Sequence, residues 1–158
     1  MAIASDAWSL WEVWGTGPER RSGRAAPSTD SQGFLAHGDG VQFDDAGYVG
    51  PPLRGLWGSA TEDVWALPYE GDLQRWDGKA WTAYPGLDGA RFMALGGTSP
   101  SDAWAVGLHG AALHWDGQAW TRSPCEAGTL VSAWAAGPDD VWASGEDGVL
   151  HFDGTSWR

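Results

Sequence analysis

Cysteine, methionine, basic residues and long apolar runs are all scarce in this chain. One cysteine, Cys125, among 158 residues cannot form an internal disulfide and leaves the redox compartment open. Nine Lys and Arg against 21 Asp and Glu give a net charge of −12. That balance argues against nucleic acid and anionic membranes, which reward a basic surface. No run approaches the ~18 apolar residues that would suggest a bilayer-spanning helix. The N-terminus, MAIASDAWSLWEVWG, lacks the basic start and unbroken apolar stretch of a secretory signal. The expectation is therefore a cytoplasmic chain, or a segment of a longer, secreted one. No window carries Ala, Leu, Glu and Lys on a 3.6-residue period, so helix is excluded as the main element.

What the chain has instead is 13 Trp and 24 Gly. Disordered chains are poor in aromatics, and short apolar runs between glycines point to an all-β fold with tight turns. The chain also repeats. EDVWALPYEGDLQRWDGKAW, SDAWAVGLHGAALHWDGQAW and DDVWASGEDGVLHFDGTSW follow one another, with Asp63, Asp102 and Asp140 standing 39 and 38 residues apart. The turn aspartates Asp77, Asp116 and Asp153 and the tryptophans Trp81, Trp120 and Trp157 keep nearly the same spacing. A weaker copy lies upstream: HGDGVQFDDAGY matches EDGVLHFDGTSW, with Phe43 in the Trp76 place, Gln42 in the Arg75 place and Tyr48 in the Trp81 place. Trp14 is matched to Trp57. Trp57 to Asp77 spans 20 residues but Trp14 to Asp44 spans 30, so an insert is expected within 18–32. PERRSGRAAPSTDSQ is polar and rich in Pro, Ser and Arg, and reads as an exposed loop.

Four short antiparallel strands are expected per unit. In the third they are Arg91–Gly96, Ala103–Gly107, Ala111–Trp115 and Ala119–Arg122, with Asp116–Gly117 as a two-residue hairpin turn. Four strands in a ~40-residue repeat is the pattern of a β-propeller blade, whose two faces are covered by its neighbours. The blades are expected at 10–49, 53–84, 91–122 and 129–158. Four blades that do not close would bare the apolar faces of the first and last. Closure by a homodimer, to make eight blades, is the expected remedy.

The motif DVWA…G…GxLHWDGxxW resembles the Trp-rich propeller repeats of bacterial proteins, and is similar to tectonin repeats and to bacterial propeller lectins. That resemblance implies a non-catalytic recognition module with carbohydrate as the leading ligand. A protein-interaction scaffold or assembly subunit is the alternative, and an enzyme with a loop-borne site the remote one. Twelve of the 13 tryptophans fall at repeat-equivalent places when Trp8 is grouped with Trp65, Trp104 and Trp142. A ring that recurs in every blade is a packing element first. Trp81, Trp120 and Trp157, on outer strands, are the candidate sugar-stacking platforms, with His114 and His151 as polar neighbours. Blades spread the two histidines around a ring, so they converge on no metal. The aspartates before each second strand are expected to cap turns. No nucleophile elbow or phosphate-cradling glycine loop is present, and no cofactor is expected.

Overall fold

The computed structural model describes residues 8–17, 20–27, 34–38, 43–45, 48, 50–85, 87 and 90–158, the strands before residue 48 by backbone alone. Among them are fifteen β-strands, no α-helix and one 3-10 turn at Leu108–Gly110. The strands form four antiparallel meanders, each from contiguous sequence. The first holds β1 (Trp8–Gly17), β2 (Arg20–Pro27), β3 (Phe34–Gly38) and β4 (Phe43–Asp45). The second holds β5 (Leu53–Ala60), β6 (Asp63–Pro68), β7 (Leu73–Trp76) and β8 (Trp81–Tyr84). The third holds β9 (Phe92–Ser99), β10 (Asp102–Gly107), β11 (Ala112–Trp115) and β12 (Trp120–Arg122). The fourth holds β13 (Leu130–Gly137), β14 (Asp140–Gly145) and β15 (Gly148–Phe152), and a Phe152–Trp157 bridge begins its outer edge.

The first strands β1, β5, β9 and β13 lie side by side, so the sheets stack face to face in chain order. This is the packing of propeller blades. Alternation decides which face goes where. Ala103 and Ala105 turn with Leu113 and Trp115 toward the second sheet, whereas Val106 and Ala112 turn toward the fourth. The core is thus a series of interblade layers and not one central cluster.

Each outer hairpin is held by its aspartate. Asp77 accepts from the Lys79 and Ala80 N–H groups at 2.9 and 2.8 Å, and Asp116 and Asp153 repeat the pattern. Those backbone donors favour the carboxylate and hold Asp77 and Asp116 below the usual range. The turn is therefore a four-residue loop, because the ladder closes at Trp76–Trp81. A two-residue turn does not form: Gly78 takes φ +89 while its aspartate stays at negative φ.

The first sheet corrects the sequence alignment. Arg20–Pro27, expected within an exposed insert at 18–32, is strand β2, paired with both β1 and β3; residues 18–19 and 28–32 lie outside the described residues. Trp14 does stand in the Trp57 place, each just before a bulge in its first strand. Trp8, however, lies on a first strand, not on a second strand with Trp65. Ser22 pairs with His37 as Trp65 pairs with Arg75 and Trp104 with His114. His37, not Gln42, therefore holds the Arg75 place. Gly38 holds the Trp76 place and Phe43 the Trp81 place. Ser22 to His37 spans 15 residues and Trp65 to Arg75 ten, so the extra length sits in the β2–β3 hairpin.

Candidate interaction face on the fourth sheet

A constellation of three side chains recurs on one face of each fully described sheet. An aspartate opens the second strand, a tryptophan follows two residues later on the same face, and the third strand places a His or Arg directly opposite that ring. Asp102 accepts from Trp104 Nε1 at 3.2 Å and bonds His114 Nε2 at 2.9 Å, and Thr98 Oγ1 donates to it as well. Asp140 accepts from Trp142 Nε1 at 3.0 Å and bonds His151 Nε2 at 2.8 Å. The imidazoles stack on their tryptophans, with centroids 4.5 Å apart for Trp104–His114 and 4.3 Å for Trp142–His151.

In the second sheet Arg75 replaces the histidine. Its Nε donates to Asp63 at 2.7 Å and its guanidinium lies over Trp65 and Trp115. Trp65 Nε1 is then left buried with no partner. Asp102 and Asp140 thus fix rings directly, whereas Asp63 holds the arginine that lies over its ring. They accept from side chains, where the sequence suggested backbone turn caps.

The next sheet covers the first two of these rings, Trp65 and Trp104. Trp65 meets Trp115 at 5.3 Å and Trp120 at 4.9 Å, both from the third sheet. Trp104 meets Phe152 at 5.0 Å and Trp157 at 5.7 Å, from the fourth. Trp81 packs edge-on against Tyr48 at 5.4 Å. All three candidate stacking platforms are thus half-buried: Trp120 and Trp157 in contacts between sheets, and Trp81 against Tyr48 and Trp76. Trp157 also donates from Nε1 to Ser123 Oγ at 3.0 Å. His114 is engaged by Asp102 and Trp104, while His151 lies on a face that stays open.

That open face distinguishes the fourth sheet. Trp104 is 1% exposed, whereas its equivalent Trp142 is 42% exposed. On the same face Trp134 is 60% and Val149 65% exposed, with Val131 beside them in the β13 bulge at 52%. Among the described residues no sheet covers them. Repeat spacing groups Trp142 with the buried tryptophans, because it counts positions within a blade and not the presence of a following one. A separate cleft beside β6 has Arg54 over the Tyr69 ring at 4.7 Å, but Arg91, Glu70 and Asp72 give it mixed charge.

No family model and no curated protein matches the chain. Solved structures do. "YCF48 from Cyanidioschyzon merolae" superposes with a TM-score of 0.70 at 14% identity, over 100% of this chain and 58% of that one. "YCF48 bound to D1 peptide" gives 0.70 at 16% identity, over 100% and 55%. This chain therefore spans a little over half the length of the propellers it resembles. At such identity the likeness speaks for the fold alone, and the fold is that of a β-propeller.

Proposed function

We propose that the chain is a protein-recognition propeller segment that binds through the bare face of its fourth sheet. The observation that carries this reading is the exposure of Trp134, Trp142 and Val149 together on one sheet face. Contiguous apolar surface of this kind marks protein contacts, and tryptophan is the residue most enriched where binding energy concentrates. A propeller of the same fold has been solved with a bound peptide. The lectin reading has less behind it, since Trp120 and Trp157 serve as interblade cover and Trp81 packs into the layer around Tyr48. In the third and fourth sheets the aspartate is engaged by an indole and an imidazole, which favours a structural, non-catalytic role for it.

Affinity purification of the tagged chain from its native cells, beside a Trp134→Asp/Trp142→Asp variant and a glycan array, tests the proposal. A protein recovered with the parent and lost with the variant is expected. Selective glycan binding that survives in the variant, with no protein recovered, would overturn it.

A further inference from the structure

The cleft beside β6, between the second and third sheets, has a volume of about 570 Å³ and is lined by residues that the repeat does not share. At its counterpart between the third and fourth sheets, the β10–β11 turn docks on the next connection. There the Gly110 N–H donates to the Gly128 carbonyl, and a Cβ on Gly110 would lie 2.3 Å from backbone oxygen. At the β6–β7 turn of the second sheet, by contrast, a Cβ on Gly71 would meet nothing within 4 Å. The charge at the cleft is also particular to this sheet. Trp11, Arg54, Met93 and Val131 each fill the first bulge of a first strand, and Arg54 alone among them is charged. A residue type that only one sheet carries is no general packing element of the blade.

Arg54 is poorly satisfied where it stands. Its Nη1 donates to the Met93 sulfur, a weak acceptor, and its Nε is buried without a partner. The guanidinium lies over the Tyr69 ring at 4.7 Å. The chain has more than twice as many acidic as basic residues. Even so, among the described residues no carboxylate lies within ion-pair distance of Arg54 or Arg91. Glu70 and Asp72 line the same cleft, so both signs of charge are present and kept apart. Buried Leu73 and Phe92, with half-buried Tyr84, supply the apolar part of the wall. We propose that this cleft binds a small zwitterion with an apolar body, an α-amino acid or a dipeptide with a bulky apolar side chain. Its carboxylate meets Arg54 and Arg91, whose planar forks suit that group. Its ammonium group meets Glu70 and Asp72, and its side chain lies on Leu73, Tyr84 and Phe92. A plain anion or a plain cation would meet like charge on one side of the cleft, which counts against either. The volume lies in the range of small-molecule sites. This site is separate from the open face of the fourth sheet, and neither reading depends on the other.

Calorimetric titration of the full chain tests the proposal with five probes: L-phenylalanine, leucyl-phenylalanine, glycine, 3-phenylpropanoate and 2-phenylethylamine. Saturable binding of phenylalanine or of the dipeptide is expected, and the tighter of the two names the source. Removing the ammonium group, the carboxylate or the side chain should weaken binding about tenfold or more, the scale of one charge-assisted contact. Arg54→Met, which keeps an apolar stem beside Met93, should lose as much with its urea midpoint unchanged. Glu70→Gln/Asp72→Asn, on an exposed turn, should erase the preference for phenylalanine over 3-phenylpropanoate, and it decides alone if Arg54→Met does not fold. No saturable binding of any probe below about 10 mM would overturn the proposal. So would 3-phenylpropanoate binding the parent chain as tightly as phenylalanine, since the cleft would then be a simple anion site. Parent-like binding of phenylalanine by both cleft variants, or its loss in Trp134→Asp/Trp142→Asp, would place the ligand elsewhere and overturn it too.

Discussion

At the scale of single residues, burial separates tryptophans that sequence position makes equivalent. Trp104 and Trp142 both follow an aspartate by two and face a histidine. Trp104→Ala should cost about 3–5 kcal/mol, the range for deleting a buried large aromatic. Trp142→Ala should cost under about 1 kcal/mol, because much of that ring is already wet. Urea denaturation of both variants checks the contrast, and equal losses would mean the fourth face is covered. Tyr48 offers a pH test. Burial pushes its phenol up to about 12, and its hydroxyl donates to the Pro51 carbonyl at 3.0 Å. A raised folded value means the stabilisation is whole below the ordinary tyrosine value near 10. It is then lost as pH climbs through the folded value. Melting temperature should fall between about pH 10 and 12, and Tyr48→Phe should flatten that fall.

At the scale of strands and turns, how much was legible depended on how much the landmarks constrained. The third unit was expected at Arg91–Gly96, Ala103–Gly107, Ala111–Trp115 and Ala119–Arg122, and its strands lie within one to three residues of those bounds. Asp, Trp and Gly at fixed offsets pin both ends of each strand there. In the first unit the rings were matched to one another and the turn was not. Phe43 resembles Phe152 in context, yet pairing puts it in the Trp81 place, because register follows hairpin length and not side-chain likeness. Arg20–Pro27 looked like a loop for its polarity, but ladders on both sides satisfy its backbone, and polarity says little about a strand whose neighbours supply the hydrogen bonds. The candidate site was readable as a list of rings. Which rings are covered depends on the neighbouring blade, and no single repeat encodes that.

One turn shows how closely a loop can be tied to the sheet beyond it. Gly110, at φ +66, donates its N–H to the Gly128 carbonyl at 2.7 Å. A Cβ on it would lie 2.3 Å from the Cys125 carbonyl oxygen. Gly110→Ala therefore meets both left-handed strain and backbone it cannot move cheaply. The expected loss is about 1–3 kcal/mol, read as a lower urea midpoint. An unchanged midpoint would show that the connection from Cys125 to Gly128 yields freely.

At the scale of the whole molecule, among the described residues the sheets exchange no strands, and every ladder joins strands adjacent in sequence. The hydrogen-bonded framework of a blade is thus complete as soon as its own stretch of chain is available. Its tryptophan face is not, because the cover comes from the next stretch. During synthesis, at about 5–20 residues per second, a ~40-residue period takes roughly 2–8 s. For that interval each new blade would present the ribosome exit and its chaperones with a finished sheet and an uncovered indole. The exposure then moves down the chain with translation, and Trp65 and Trp104 are sealed in turn.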